Sequence, residues 1–158
     1  MSDNNGNNTT IHPDMAYHVS RLSFGGIEIL MPQTEIVSIE SVYELERDKE
    51  NKKYLGLIYK QGVKVPVYCF SAEMKVLTYL PEDRFQCVVI RSETGDFAVL
   101  CNEIKNVVLS DIRFEPIPKC MENASVPLTH LCLYKENENG MKIGLVTNAA
   151  CLNEYINL

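Results

Sequence analysis

The sequence contains no tryptophan and only three histidines, His12, His18 and His130. His12 lies beside the N-terminal tail, and His18 and His130 fall in candidate strands with no carboxylate or cysteine at ligand spacing. We therefore expect no metal site and a structural or surface role for each. Glycine-rich phosphate loops, the zinc-protease motif and the nucleophile elbow are also missing. These absences favour a binding module without a cofactor over an enzyme.

Positive charge is scarce and is not clustered. The formal net charge is −6, and the pair Lys52-Lys53 lies close to the acidic residues Asp48 and Glu50. Nucleic acids and anionic membrane surfaces are bound by clustered lysine and arginine, so we expect neither as a partner. No apolar run reaches the ~18–20 residues that a membrane-spanning helix requires, and we expect no membrane insertion.

The six cysteines show no C-x-x-C spacing, which excludes zinc-ribbon and thioredoxin-like motifs. Five of them lie among apolar residues, where a free cysteine behaves as a small buried hydrophobe. We therefore expect reduced thiols and a cytoplasmic location. The cysteines are Cys69, Cys87, Cys101, Cys120, Cys132 and Cys151.

The length of 158 residues corresponds to one domain or two small halves that share a core. Residues 1–14 are rich in asparagine and lack an apolar stretch, so we expect a disordered N-terminal tail. Residues 15–158 form the predicted domain.

Short apolar runs separated by turn residues predict an all-β domain of about nine strands with a short C-terminal helix capped by Asn148. The turns are predicted at Gly25-Gly26, Gln61-Gly62, residues 93–95 and residues 137–140. The strands are predicted at residues 17–24, 27–31, 55–59, 63–70, 85–91, 96–101, 105–109, 128–134 and 141–146, with an extended segment at 112–118.

Two clusters of strands predict two sub-barrels with a boundary near residues 71–84. Alternate residues from Val63 to Cys69 share one face of a strand, and Pro66 indicates a sheet edge or a bulge within it. The predicted core residues are Val65, Val67, Val88, Val99 and Leu145.

Four stretches in the same order resemble the CheW family, the adaptor proteins of bacterial chemotaxis arrays. They are residues 24–39, which resemble the opening hairpin and the V-x-E-I segment; 55–67, similar to the G-x-x-N-L-R-G-x-x-x-P signature; 97–108, similar to the v-D-x-V-x-x-V run; and 143–148, similar to the closing strand. Together the likeness spans roughly residues 17–158.

The resemblance implies two five-stranded β-barrels that share one hydrophobic core. It also implies two partners, a CheA-like histidine kinase and a chemoreceptor of the methyl-accepting type, whose tip would lie in a groove between the barrels. By position, the implied partner-binding residues are Ile36, Ser38, Tyr59, Lys60, Gln61, Gly62, Val63 and Val65.

The chain departs from the family pattern at this site. Gln61 replaces the arginine of the signature, and Ser38 replaces the glutamate of the V-x-E-I segment. Because both charges are absent together, we expect no stranded charge and a less charged surface. The Leu30-Met31-Pro32 stretch and the missing arginine are similar to accessory CheW-like proteins of type IV pilus (twitching) chemosensory systems.

Two other functions remain open from the sequence. A small cytoplasmic β-barrel could bind a ligand or act as a cysteine-dependent enzyme, which would require a pocket and a thiol of lowered pKa. The chain could also be an oligomer-forming structural domain without a kinase partner.

Overall fold

The computed structural model describes residues 17–118, 127–135 and 140–157, so the predicted tail and Cys120 lie outside the described residues. Eleven strands and one helix are present in the described part. They are β1 Tyr17–Phe24, β2 Ile27–Pro32, β3 Ile36–Ser41, β4 Glu46–Arg47, β5 Gly56–Lys60, β6 Val63–Tyr68, β7 Gln86–Ile90, β8 Phe97–Cys101, β9 Glu103–Glu115, β10 His130–Lys135, β11 Lys142–Val146 and α1 Ala149–Ile156.

The first sheet is a closed five-stranded barrel in the order β1-β2-β11-β10-β9. It is closed by a short parallel pairing between β2 and β11, in which Leu145 lies opposite Ile29 and Val146 opposite Leu30. The barrel therefore combines strands from both ends of the chain. Its five strands match the fold that the resemblance implies.

The second sheet has six strands in the order β3-β7-β8-β6-β5-β4 and is curled into a half-barrel. β4 and β5 pair over only two residues, and β6 and β8 pair in parallel at Val67 and Tyr68. The all-β class with two subdomains is confirmed. The second subdomain differs from the implied five-stranded barrel because the short β4 extends the sheet beyond β5 without pairing with β3.

The chain passes between the two sheets at two points. The 3-10 turn Gln33–Glu35 connects β2 to β3, and Asn102, whose N–H donates to Ser23 O at 2.8 Å, connects β8 to β9. Residues 71–84 connect β6 and β7, which both belong to the second sheet. The predicted boundary near 71–84 therefore does not separate the subdomains.

One hydrophobic core is shared by both sheets and by α1. It receives Leu22 and Ile29 from the barrel, Val88 and Val99 from the second sheet, and Leu152 from the helix. Val65, Val67, Val88 and Val99 are buried as predicted. Leu145 is only half-buried, so the prediction that it is a core residue is wrong.

The thirteen-residue β9 replaces the two separate segments predicted at 105–109 and 112–118. Asp111 lies in its middle with φ of 51°, and the pairing with β10 shifts register between Leu133 and Lys135. Aspartate tolerates this left-handed conformation better than most residues. The strand therefore bends at Asp111 without ending there.

Arg84 is almost completely buried at the junction of the two sheets. Its guanidinium donates to Phe70 O at 2.8 Å and to Leu100 O at 3.1 Å. It also lies 5.1 Å from the centroid of the Phe24 ring, which belongs to the barrel. One side chain thus contacts both sheets and the connection between β6 and β7.

The helix α1 is capped as predicted, because Asn148 Oδ1 accepts the N–H of Cys151 at 2.8 Å. Glu35 Oε1 accepts the N–H of Ala149 at 3.1 Å, which ties the start of the helix to the turn before β3. Near the end of the helix, the Tyr155 hydroxyl donates to Met74 O. These contacts fix α1 between the two sheets.

Candidate functional site

The turn between β5 and β6 lies at one end of the second sheet. Lys60 and Val63 are the last paired residues, so Gln61 and Gly62 form a two-residue turn with φ of 50° and 78°. Two consecutive positive φ angles match the twist of a tight antiparallel hairpin. Both turn residues are exposed, so the fold presents this turn to solvent.

An ion pair joins this turn to β3, which is the strand at the far edge of the same sheet. Lys60 Nζ lies 3.9 Å from Glu40 Oε1, and the two side chains are 27% and 36% exposed. A partly exposed pair of this kind contributes about 1 kcal/mol or less. Its main consequence is geometric, because it brings together the two segments that the resemblance places side by side.

Large apolar residues lie next to both partners of the ion pair along the chain, and Val63 lies directly opposite Lys60 in the hairpin. Ile39 is 49% exposed, Tyr43 89%, Tyr59 54% and Val63 62%. Ile39 and Tyr59 face the opposite side of the sheet from Glu40 and Lys60, because consecutive strand residues alternate between the two faces. Exposed aromatic and aliphatic side chains are frequent at protein–protein contact surfaces. We call this group the mouth surface, and it consists of Ile39, Glu40, Tyr43, Tyr59, Lys60 and Val63.

The structure divides the predicted site residues into two groups. The residues from Tyr59 to Val63 are at least partly accessible, whereas Val65 is only 2% exposed and packs inside the second sheet. Ile36 is half-buried against the shared core. Val65 and Ile36 therefore support the site from inside and offer little contact area to a partner.

Ser38 lies on the same face of β3 as Glu40. Its hydroxyl oxygen is enclosed and has no hydrogen-bond partner among the described residues. An ion pair between Glu40 and Lys60 lies two residues after Ser38 and one residue before Gln61, so charge is present next to both substituted positions. The sequence analysis names Lys60 but not Glu40, because the contact between them depends on the curl of the sheet.

A cleft of about 290 Å³ adjoins the mouth surface through Val63. It lies between the start of β6, the turn before β8 and the end of α1. Apolar and polar groups alternate along its walls, which are formed by Val63, Lys64, Pro66, Tyr68, Thr94, Gly95, Asp96, Phe97, Asn153, Ile156 and Asn157. The cleft therefore offers both polar and apolar groups beside the mouth surface.

The five thiols in the described ranges do not have the properties of catalytic nucleophiles. Burial raises the pKa of Cys69 and Cys132 to about 11 and that of Cys87 to about 12. It also raises the pKa of Cys101 and Cys151. A reactive cysteine needs a lowered pKa, so the described thiols do not support the cysteine-dependent enzyme.

Among the described residues, no group of three or more histidine, cysteine, aspartate or glutamate side chains could hold a metal ion. No helix in the described ranges is long and apolar enough to cross a membrane.

A closed barrel and a curled sheet that share one core and one C-terminal helix define an all-β fold of two subdomains. This fold is similar to the crystal structure of the scaffolding protein CheW from Thermoanaerobacter tengcongensis. The TM-score is 0.64 with 10% sequence identity, over 84% of this chain and 88% of that chain. No family model matches the sequence, and no curated protein matches it. The chain therefore has a CheW-like fold.

Proposed function

We propose that this protein is a non-catalytic adaptor of bacterial chemosensory signalling in the cytoplasm. It bridges a CheA-like histidine kinase and chemoreceptors or related array proteins. The observation that carries the proposal is the mouth surface, a set of exposed apolar side chains around an ion pair at one end of a CheW-like fold. The protonated state of the described thiols supports an adaptor over a cysteine-dependent enzyme.

The mouth surface is the proposed site of receptor recognition. The turn residues Gln61 and Gly62 hold Tyr59 and Val63 at the end of the second sheet, and a cleft with both polar and apolar walls lies beside Val63. A receptor tip would contact the two exposed tyrosine rings and the aliphatic side chains beside them. Aromatic side chains of this kind dominate the binding energy of many interfaces.

The two charges at the mouth surface are paired with each other. Because Glu40 and Lys60 largely neutralise one another, shape and apolar contact select the partner more than long-range attraction does. Binding should therefore depend only weakly on salt concentration.

The same proposal extends to a chemosensory system of the type IV pilus. The stretch Leu30-Met31-Pro32 and the glutamine at position 61 support this placement. Nucleic acid has no part in it, because positive charge is not clustered in the sequence. Direct membrane insertion has no part in it either, because no apolar run reaches the length of a membrane-spanning helix.

The first prediction concerns Tyr59. Tyr59→Ala removes a half-exposed aromatic ring and should weaken binding to the cognate kinase–receptor complex by about 10-fold or more. Gln61→Arg places a second cation beside Lys60, where it competes for Glu40, and should weaken binding by a smaller factor. Isothermal titration calorimetry at low and high salt measures both effects.

Val108→Ala is the matched control, because Val108 is 54% exposed but lies on the barrel strand β9. Its affinity should equal that of the wild type. If Tyr59→Ala and Gln61→Arg both fold and bind like the wild type, the mouth surface is not the site. A collapse of wild-type affinity at high salt would contradict the apolar-contact account even if the location is right.

A further inference from the structure

The cleft next to the mouth surface opens where two strands of the second sheet separate. The parallel pairing of β6 with β8 begins at Val67 and Ala98. Val67 O accepts the N–H of Leu55, and alternate residues of a strand direct their backbone groups to opposite sides, so Pro66 directs its backbone nitrogen toward β8. Proline has no N–H to donate. The pairing therefore does not extend toward the start of β6, and the cleft lies between that segment and residues 94–97.

Aromatic rings line the cleft on the side of the shared core. Phe97 is 3% exposed, and its ring lies 6.3 Å from the half-buried ring of Tyr68 in an edge-to-face arrangement. Ile156, near the end of α1, packs against the same core and also lines the cleft. Because the shared core supports all three side chains, the cleft is formed before any partner binds.

The cleft continues the face of the sheet on which Tyr59 of the mouth surface lies. Lys64 is directly opposite Tyr59 in the hairpin, so these two side chains share one face. Lys64, Pro66 and Tyr68 alternate along β6 and therefore lie on that same face. All three line the cleft. A partner that contacts Tyr59 from this face is thus also beside the cleft.

Charges of opposite sign lie on two walls of the cleft. Lys64 is exposed on β6, and Asp96 is partly exposed in the turn before β8. Neither forms an ion pair with any of the described residues. An occupant with an acidic group on one side and a basic group on the other would complement both walls.

We propose that the receptor tip inserts one apolar side chain into this cleft, from a segment that carries an acidic residue beside Lys64 and a basic residue beside Asp96. The proposed adaptor function is a premise of this assignment, because the occupant belongs to a receptor. The cleft volume of about 290 Å³ lies at the lower limit of the roughly 300–1,000 Å³ of pockets that enclose small molecules, so a side chain of a docked protein fits better than an independent ligand. Exposed ion pairs add little affinity, so the two charges set the orientation of the segment and apolar contact supplies most of the binding energy.

Filling the cleft tests the apolar contact. Ile156→Trp places a larger side chain in the cleft and should weaken binding of a purified chemoreceptor hairpin fragment by about 10-fold or more, as measured by isothermal titration calorimetry. Ile143→Trp is the matched control, because Ile143 is 70% exposed on the barrel strand β11. Its affinity should equal that of the wild type. Circular dichroism checks that each variant is folded.

Charge reversal tests the two walls at positions outside the core. Lys64→Glu and Asp96→Lys should each weaken binding of the same fragment by roughly 5-fold at low salt and by less at high salt. The two substitutions change the net charge in opposite directions, so an effect of net charge alone cannot weaken both. Lys52→Glu makes the same change as Lys64→Glu at an exposed loop position and should bind like the wild type.

The possible results separate this assignment from the proposed function. If the wild type does not bind the receptor fragment, the adaptor function itself is wrong. If Tyr59→Ala weakens binding while Ile156→Trp and both charge reversals bind like the wild type, the mouth surface is the site and the cleft takes no part in it. Opposite effects of the two charge reversals would contradict a segment that carries both charges.

Discussion

At the scale of single residues, Arg84 joins the two sheets through its guanidinium. It is 3% exposed and donates to two backbone carbonyls while it lies over the Phe24 ring. Hydrogen bonds from a charged donor contribute about 1.5–3 kcal/mol each, and an acceptor left buried without a donor is costly. The fold therefore depends on this one guanidinium.

The second prediction follows from these contacts. Arg84→Ala should lower the free energy of unfolding by about 3 kcal/mol, as measured by urea denaturation. Arg84→Lys should recover only part of this loss, because an ammonium group lacks the fork that reaches two carbonyls. If Arg84→Ala lowers the free energy of unfolding by less than about 1 kcal/mol, the effect is no larger than that of an ordinary surface substitution. The contacts of the Arg84 guanidinium would then be dispensable for stability.

The third prediction concerns the thiols. With pKa values of about 11 for Cys69 and Cys132 and about 12 for Cys87, very little thiolate exists at pH 8 in the folded protein. Alkylation at each of these cysteines, followed by mass spectrometry, should be slow until the protein unfolds. Rapid alkylation of any one of them in the native state would restore the cysteine-dependent enzyme as an alternative.

The same raised pKa values predict how stability changes with pH. Above the usual thiol pKa of about 8.5, the unfolded chain loses thiol protons that the folded chain retains, so the unfolded state is favoured. These thiols therefore make their full contribution to the free energy of unfolding below the usual thiol pKa. That contribution is lost as the pH rises toward 11–12, where the folded protein also loses the protons. Cys87→Val should reduce this alkaline loss, as measured by urea denaturation at pH 8 and pH 10.

Local sequence patterns predict many of the buried core residues but not the contacts that charged side chains make. Val67 follows from the alternation of apolar residues between Val63 and Cys69, whereas Val88 lies in a short continuous apolar run. Arg84 follows Pro-Glu-Asp and has the sequence context of an exposed loop, and only the packing of two sheets buries it. The ion pair between Glu40 and Lys60 joins residues twenty positions apart, so no local pattern indicates it.

At the scale of elements, the hairpin turn at Gln61-Gly62 was predicted and is present. The φ of 50° at Gln61 lies in the left-handed region, where asparagine and glycine are favoured. Because glutamine adopts this conformation with some strain, the turn is not optimised for stability.

The fourth prediction uses this turn. Gln61→Asn should raise the free energy of unfolding by about 0.5 kcal/mol, because asparagine fits the left-handed position before glycine. Thermal unfolding by circular dichroism measures the gain. Lys64→Asn, at an exposed strand position of the same hairpin, is the control and should lower stability, because asparagine is a poor strand former. Equal effects from both substitutions would contradict the turn-specific explanation.

Elements formed by neighbouring residues were predicted better than those formed at a distance. The antiparallel hairpins β1–β2, β5–β6 and β7–β8 follow from turn residues between apolar runs. The parallel pairings β2–β11 and β6–β8 have no local signal, because they join segments far apart in the chain. The continuity of β9 through Asp111 was missed because the polar residues Ser110 and Asp111 interrupt the apolar pattern.

At the scale of the whole molecule, the sequence predicted two subdomains but not the path between them. Contiguous clusters of strands suggested that each half of the chain forms one barrel. The barrel instead takes β1 and β2 from the start and β9–β11 from the end, and the second sheet is inserted between them. Clusters along the sequence do not reveal such an arrangement, because it depends on contacts between distant strands.

The shared core has a consequence for the adaptor proposal. α1 and the connection at residues 71–84 pack against both sheets, so the mouth surface is held on a rigid frame. An adaptor must bind two partners at once, and a rigid frame keeps their relative positions fixed without a catalytic group. The proposal therefore depends on simultaneous binding and not on either partner alone.

Co-sedimentation of a CheA-like kinase with receptor-containing membranes tests this central claim most directly. The account predicts that kinase sediments with the membranes when wild-type protein is present, that it remains in the supernatant without this protein, and that Tyr59→Ala reduces the sedimented kinase while Val108→Ala does not. Kinase that sediments to the same extent with and without the protein would contradict the account.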